Sequence, residues 1–191
     1  LEFRRVLFRS DPNTRQAVLQ HWHAPLDIIG DWKDRPCNTH IYFMIRNKRL
    51  DMTVCNRSND IIYGAYGANA VQFGVLLTYI ANMVNVPTGR YYQVSNNYHA
   101  YVDDLNKLIS KGEIMSEPYP GYSCERIVYN RDLFDTELGA VMEIIERLNT
   151  TGPLDCPEMA NRYLSDTVFR AALAHYYFRN KKHSEAFLIA D

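Results

Sequence analysis

Between His40 and Val54 the chain alternates in the manner of two strands: Leu50, Met52 and Val54 are apolar, Arg49, Asp51 and Thr53 polar, and His40–Arg46 is rich in β-branched and aromatic residues. Such a period of two puts one set on a core and the other on the opposite face. Asn47-Lys48 between them reads as a turn, so the segment is a hairpin with Cys37 leading into its first strand and Arg57 leaving its second. Over 68–84 the period changes. Val71, Val75, Thr78 and Ile80, with Leu76, Tyr79 and Met83, fall at helical spacings and predict a buried helix that ends before Val86-Pro87-Thr88-Gly89. Tyr91–Val102 reads as a further strand, which would place His99 and Tyr101, two apart, on one face.

Other stretches are less regular. Ala17–Trp22 is a short apolar run that periodicity alone does not assign, and Asp27–Asp34 reads as an irregular connection. Beyond Asp103 the pattern predicts a short helix at 103–110, a Pro/Gly/Tyr loop at 117–123, and helices near 135–149 and 164–180. Asn149-Thr150-Thr151-Gly152-Pro153 reads as a linker, after which Val168, Phe169, Ala172 and Tyr176 share a face of a helical appendage.

Composition narrows the class. A chain of 191 residues, 47% hydrophobic, can bury one substantial core. With 21 basic and 22 acidic residues its net charge is -1, which gives no general attraction to nucleic acid or anionic membrane. Any phosphate must be held by a local cluster, and the expected partner is a small anion. The four cysteines, at 37, 55, 124 and 156, form no CxxC pair and no matched Cys/His spacing, arguing against a disulfide scaffold or a metal site and for a reducing cytoplasm. His21, His23, His40, His175 and His183 form no ligand pattern. Crossing a bilayer takes about 20 apolar residues, and even 70–86 is interrupted by Gln72, Gly74, Asn82 and Asn85.

Residues 1–10 are set aside as a non-native segment, because Arg5–Ser10 matches the translation of a common sequencing adapter. Without a starting methionine and with an abrupt Leu188–Asp191 ending, the chain is expected to be a fragment: a catalytic domain over 11–150, truncated at its start, and the appendage over 151–191.

Chemistry concentrates at Cys37, in Arg35-Pro36-Cys37-Asn38-Thr39-His40, followed by Arg57-Ser58-Asn59-Asp60. An unpaired cysteine is most often a small buried residue. Beside arginines, however, the thiolate is favoured and adds to electron-poor carbon. The order Pro36-Cys37, Cys55-Asn56-Arg57-Ser58-Asn59-Asp60, Gly64-Ala65-Tyr66-Gly67-Ala68-Asn69 and Tyr98-His99-Ala100-Tyr101 resembles the catalytic half of thymidylate synthases and the related pyrimidine hydroxymethylases. Cys-Asn-Thr-His-Ile-Tyr-Phe at 37–43 and Tyr-Gly-Ala-Tyr-Gly-Ala-Asn at 63–69 look like the divergent branch common in phages.

The resemblance implies an α/β fold with a mixed sheet against helices, a strand at 17–22, and a homodimer formed through the sheet. It implies that Cys37 adds to carbon 6 of a deoxypyrimidine monophosphate, making carbon 5 a nucleophile toward the one-carbon unit of methylenetetrahydrofolate. Methylation of deoxyuridylate is the first reading, hydroxymethylation of deoxyuridylate or deoxycytidylate the alternative, and a non-catalytic binding module the rival of another class. Arg57, otherwise a solvated strand-end charge, would grip the phosphate, with Ser58 adding a hydroxyl. Asp60 is either a turn cap or the group that meets the polar edge of the folate ring, and Asn69 either a helix N-cap or the amide that reads uracil. His99 and Tyr101 match the pair that holds the deoxyribose 3'-hydroxyl. Arg15 matches the first of two arginines that reach a partner's phosphate, with Gln16 in the second position. Two further departures are Asn38 where the family usually has His and Asn56 where it usually has Gln. The family's folate-contacting Glu and Trp, and the residues that choose between hydride and water, would lie in the missing N-terminal part.

Overall fold

In a computed structural model that describes residues 7–29, 35–112 and 126–190, Asn47 and Lys48 adopt φ of 50° and 59°. A pair of left-handed residues is what a two-residue hairpin turn needs to follow the strand twist. It joins β2 (Asn38–Arg46) to β3 (Arg49–Asn56), with Ile41 opposite Val54, Phe43 opposite Met52 and Ile45 opposite Leu50. β1 (Val18–Gln20) lies antiparallel on the outer edge of β2, and β5 (Thr88–Ser95) lies parallel to β3, giving a mixed sheet in the order β1-β2-β3-β5. A parallel neighbour requires a crossover. Ile61–Ala68, a wide helical turn interrupted at Gly67, and the helix Asn69–Val84 supply it.

The crossover helix places Phe73, Leu77, Ile80 and Ala81 on the sheet face that carries Ile41, Phe43, Leu50, Met52 and Val54, and together these form one buried cluster. Each of these side chains except Ala81 contributes about 1.5–3 kcal/mol of transfer free energy when fully buried. The helix stops at Asn85, whose φ of 60° turns the chain out of the helical path. Counted across the kink at Gly67, the helical run from Ile61 to Val84 is 24 residues with a mean hydropathy of 1.2, long and apolar enough by composition to cross a bilayer. It begins earlier than the helix over 68–84 read from the sequence. Phe73, Leu77, Ile80 and Ala81 of this run pack on the sheet, whereas Val71 and Val75, read as part of the buried face, are 67% and 36% exposed. The other sheet face is open among the described residues: Tyr42, Tyr92 and Val94 are 45%, 38% and 55% exposed.

The strand expected over 91–102 is broken. β5 ends at Ser95, Asn96 and Asn97 turn the chain, and β6 (Tyr98–His99) pairs instead with β4 (Asn59–Asp60) in a separate two-stranded parallel ribbon. Backbone bonds from Asn96 N–H to Asn56 O (2.9 Å) and Asn59 N–H to Asn97 O (2.8 Å) carry the pairing around this corner. Tyr101 then precedes the helix Val102–Ser110. Residues 7–10, set aside above, form a helical turn whose Phe8 joins the core cluster. A large apolar ring finds apolar surface regardless of its origin.

By its internal packing the chain divides into Leu1–Glu125 and Arg126–Asp191. In the second unit the helix Arg131–Thr151 packs against Tyr163–Phe169 and Arg170–Arg179 and runs through the expected linker to end at Gly152, φ 89°. Glu137 on that helix accepts hydrogen bonds from the N–H groups of Ala160 (2.8 Å) and Asn161 (3.0 Å). A final helix, His183–Ala190, packs on Arg170–Arg179. The loop read at 117–123 lies outside the described residues.

Candidate active site

Because β2 and β3 are antiparallel, the residue before one and the residue after the other come together. The Arg57 N–H donates to the carbonyl of Cys37 at 2.9 Å. Its guanidinium donates from Nε to Pro36 O (2.9 Å) and from one Nη to Arg35 O (3.1 Å), and lies 5.3 Å from the Trp22 ring centre. One arginine thus ties down the segment that delivers Cys37, a free and exposed thiol. The second Nη makes no hydrogen bond among the described residues, leaving donors for an anion. Ser58 follows, half-buried. Asn38 and Asn56, which pair across the hairpin, are both buried, and the Asn38 amide donates to Asn56 Oδ1. The two departures from the family pattern therefore answer one another.

A second cluster gathers where β4, β5 and the crossover helix meet. Asn59 is 1% exposed, and its Nδ2 donates to Gln93 Oε1 (2.9 Å) and Ser95 Oγ (3.0 Å) while its Oδ1 accepts from Asn69 Nδ2 (3.2 Å). Asp60 Oδ1 accepts the N–H groups of Ile62 and Tyr63, capping the helical turn. Its Oδ2 is buried without a donor. His99 stands beside Asp60 in the β4–β6 pairing, and its ring meets Tyr101 edge-on at 5.3 Å and 88°. Among the described residues, the buried side-chain polar atoms without a hydrogen bond are Asn56 Nδ2, Asp60 Oδ2, Tyr91 OH and His99 Nδ1. Such atoms are rare in folded proteins, and here they belong to residues of these two clusters and the strand between them. Asn59, Tyr91, Gln93, Ser95, Tyr98, Ala65 and Tyr66 line a cleft of about 450 Å³. Burial pushes the Tyr91 hydroxyl up to about 12, so it stays a neutral donor at physiological pH.

Residues 6–144 match the family model described as thymidylate synthase. This chain belongs to the thymidylate synthase family. Over 114 residues it is 46% identical to the deoxyuridylate hydroxymethyltransferase of Pseudomonas phage M6, covering 59% of this chain and 32% of that protein. With the deoxyuridylate hydroxymethyltransferase of Bacillus phage SP01 it shares 43% over 104 residues, 54% of this chain and 27% of the other. A putative thymidylate synthase of Methanocaldococcus jannaschii is 38% identical over 94 residues, 48% of this chain and 42% of that one. The chain thus spans about a third of the length of the two phage relatives. The crystal structure of thymidylate synthase from T4 phage superposes with a TM-score of 0.54 at 22% identity, over 62% of this chain and 40% of that chain, a likeness of fold.

Within this thymidylate synthase family stretch the structure joins Cys37 to Arg57 through backbone and guanidinium bonds, and Asp60, Asn69, His99 and Tyr101 through the second cluster. Arg15 is exposed ahead of β1 and is bonded to none of them. Asn69 is not the helix N-cap: that position belongs to Ala68, and the Asn69 side chain turns to Asn59 instead. Asn59 and Gln93 were missed. The signal for Gln93 was present in the alternation along β5, where Gln93 and Ser95 continue the inward-facing series begun by Tyr91.

Proposed function

We propose that the protein carrying this chain transfers a one-carbon unit to carbon 5 of deoxyuridylate through a covalent adduct at Cys37. The observation that carries the reading is the exposed Cys37 thiol on a segment whose backbone carbonyls are held by Arg57, whose guanidinium keeps an unused donor. The guanidinium charge suits a nucleotide phosphate, and the exposed thiol is the nucleophile that the addition needs. The thiolate adds to carbon 6 of the ring, and the electron pair moves to carbon 5 and its conjugated carbonyl. Ser58 adds a hydroxyl to the phosphate, Asn69 reads the ring edge, and His99 with Tyr101 holds the sugar hydroxyl.

Methylenetetrahydrofolate supplies the one-carbon unit when bound. The buried, donorless Asp60 Oδ2 fits it, because the ring of a folate offers adjacent N–H groups to a carboxylate. The open sheet face with Tyr42, Tyr92 and Val94 suits pairing with a second copy. In such a homodimer Arg15 reaches the partner's phosphate. A reducing cytoplasm suits an enzyme that works through a free thiol.

For the outcome at carbon 5, the 46% and 43% identities to two deoxyuridylate hydroxymethyltransferases favour a hydroxymethyl product. Methylation is the second reading, supported by the 38% identity to a putative thymidylate synthase. Mass spectrometry of the nucleotide made by the whole protein distinguishes them, and recovery of unaltered deoxyuridylate would count against both. Asn69→Asp should move base preference toward the cytosine nucleotide, and an unchanged preference would remove Asn69 from the base site.

A further inference from the structure

We infer that Gln93 and Asn59 are positioning residues that fix which way round the Asn69 amide points, and so make the site accept uracil and reject cytosine. The inference rests on the proposed binding of a deoxypyrimidine monophosphate at Asn69. The chain of bonds begins at an atom that cannot change its character, the backbone carbonyl of Ala65. That oxygen accepts from Gln93 Nε2 at 2.8 Å. Gln93 must then present Oε1 at its other corner, where it accepts from Asn59 Nδ2 at 2.9 Å. The second hydrogen of that nitrogen goes to Ser95 Oγ at 3.0 Å. Asn59 must in turn present Oδ1, which accepts from Asn69 Nδ2 at 3.2 Å.

Asn69 is left with one N–H and with Oδ1, which accepts no hydrogen bond among the described residues. An amide in that orientation offers an acceptor beside a donor. Uracil presents the complement, a ring N–H beside a carbonyl oxygen. Cytosine presents the reverse, a bare ring nitrogen beside an amino group. To meet cytosine the Asn69 amide must turn over, which faces its oxygen against Asn59 Oδ1. Turning Asn59 as well faces its oxygen against Gln93 Oε1, and turning Gln93 faces two oxygens together at Ala65, where the backbone cannot turn. Asn59 is 1% exposed, so bulk water has no access to relieve the mismatch. Gly64 supports the same assignment. A Cβ there would lie 2.6 Å from Asn59 Oδ1 and 3.3 Å from Asn69 Nδ2, so only glycine leaves room for the contact between the two amides.

The test compares deoxyuridylate and deoxycytidylate affinities by calorimetry for the whole protein and its Gln93→Leu, Gly64→Ala and Asn69→Ala variants. Gln93→Leu frees Asn59 to turn, and Gly64→Ala displaces it without touching Gln93. Each should lower the uracil-to-cytosine preference by about tenfold, partly through tighter deoxycytidylate binding. Equal loss for both nucleotides would reduce Gln93 to a structural role and overturn the inference. If Asn69→Ala collapses the preference while the other two variants keep it, the relay fails and the base site stands. If Asn69→Ala also keeps the preference, or the unmodified protein binds neither nucleotide, the underlying reading fails and takes the relay with it. Independently of folding in the variants, the Asn59 side-chain amide hydrogens of the free unmodified protein should exchange slowly by NMR, and rapid exchange would overturn the relay.

Discussion

Replacing Cys37 with serine is expected to lower turnover of deoxyuridylate by about a thousandfold or more, the scale seen when a covalent nucleophile is removed. The hydroxyl keeps the shape of the thiol but not its acidity, so the attacking anion is lost. The same variant should no longer form an intact-mass adduct with a fluorinated deoxyuridylate in the presence of folate. Cys55, half-buried on β3, and Cys156, exposed in the second unit, serve as internal controls. An adduct that persists in Cys37→Ser, or that maps to Cys55, would remove Cys37 from the chemistry.

Arg57→Ala is expected to weaken deoxyuridylate binding by about tenfold to a hundredfold, since a charge-assisted bond to a phosphate contributes about 1.5–3 kcal/mol. Binding of the uncharged nucleoside should change far less. The loss should also appear in Arg57→Lys. A lysine carries the charge but lacks the rigid fork that here spans Pro36 O and Arg35 O while keeping donors for an anion. Calorimetry with nucleotide and nucleoside in parallel separates the contributions. Equal weakening of both ligands would mean that Arg57 only braces the segment before Cys37, and full rescue by lysine would mean that charge alone suffices.

The hairpin was legible in the sequence because its two faces differ in polarity at every step from Leu50 to Val54, and because Asn47-Lys48 is chemically a turn. The helix over 69–84 was legible from its spacing. What failed were places where side-chain type and backbone path disagree. The helical run begins at Ile61, ahead of the 68–84 span that the spacing predicts, and a Cβ at Gly64 within it would crowd the Asn59 and Asn69 amides. The Asn149–Gly152 stretch reads as a linker, yet its threonines finish a helix, their hydroxyls donating to the Arg147 carbonyl (3.0 Å each). β6 has two residues, too few for any period to show.

In the site, Cys37 and Arg57 stood out because their chemistry is unusual next to each other. Asn59 and Gln93 carry no charge and were passed over, since only the fold reveals that both are turned inward. Asp60 answers both of its readings, with Oδ1 spent on the cap and Oδ2 left for a ligand.

The central claim, activation of carbon 5 by addition of Cys37 to the ring, is tested most directly by release of tritium from deoxyuridylate labelled at carbon 5. The whole protein with methylenetetrahydrofolate should release label to water, and Cys37→Ser should bring release to background. No release by the unmodified protein, or release undiminished in Cys37→Ser, would contradict it.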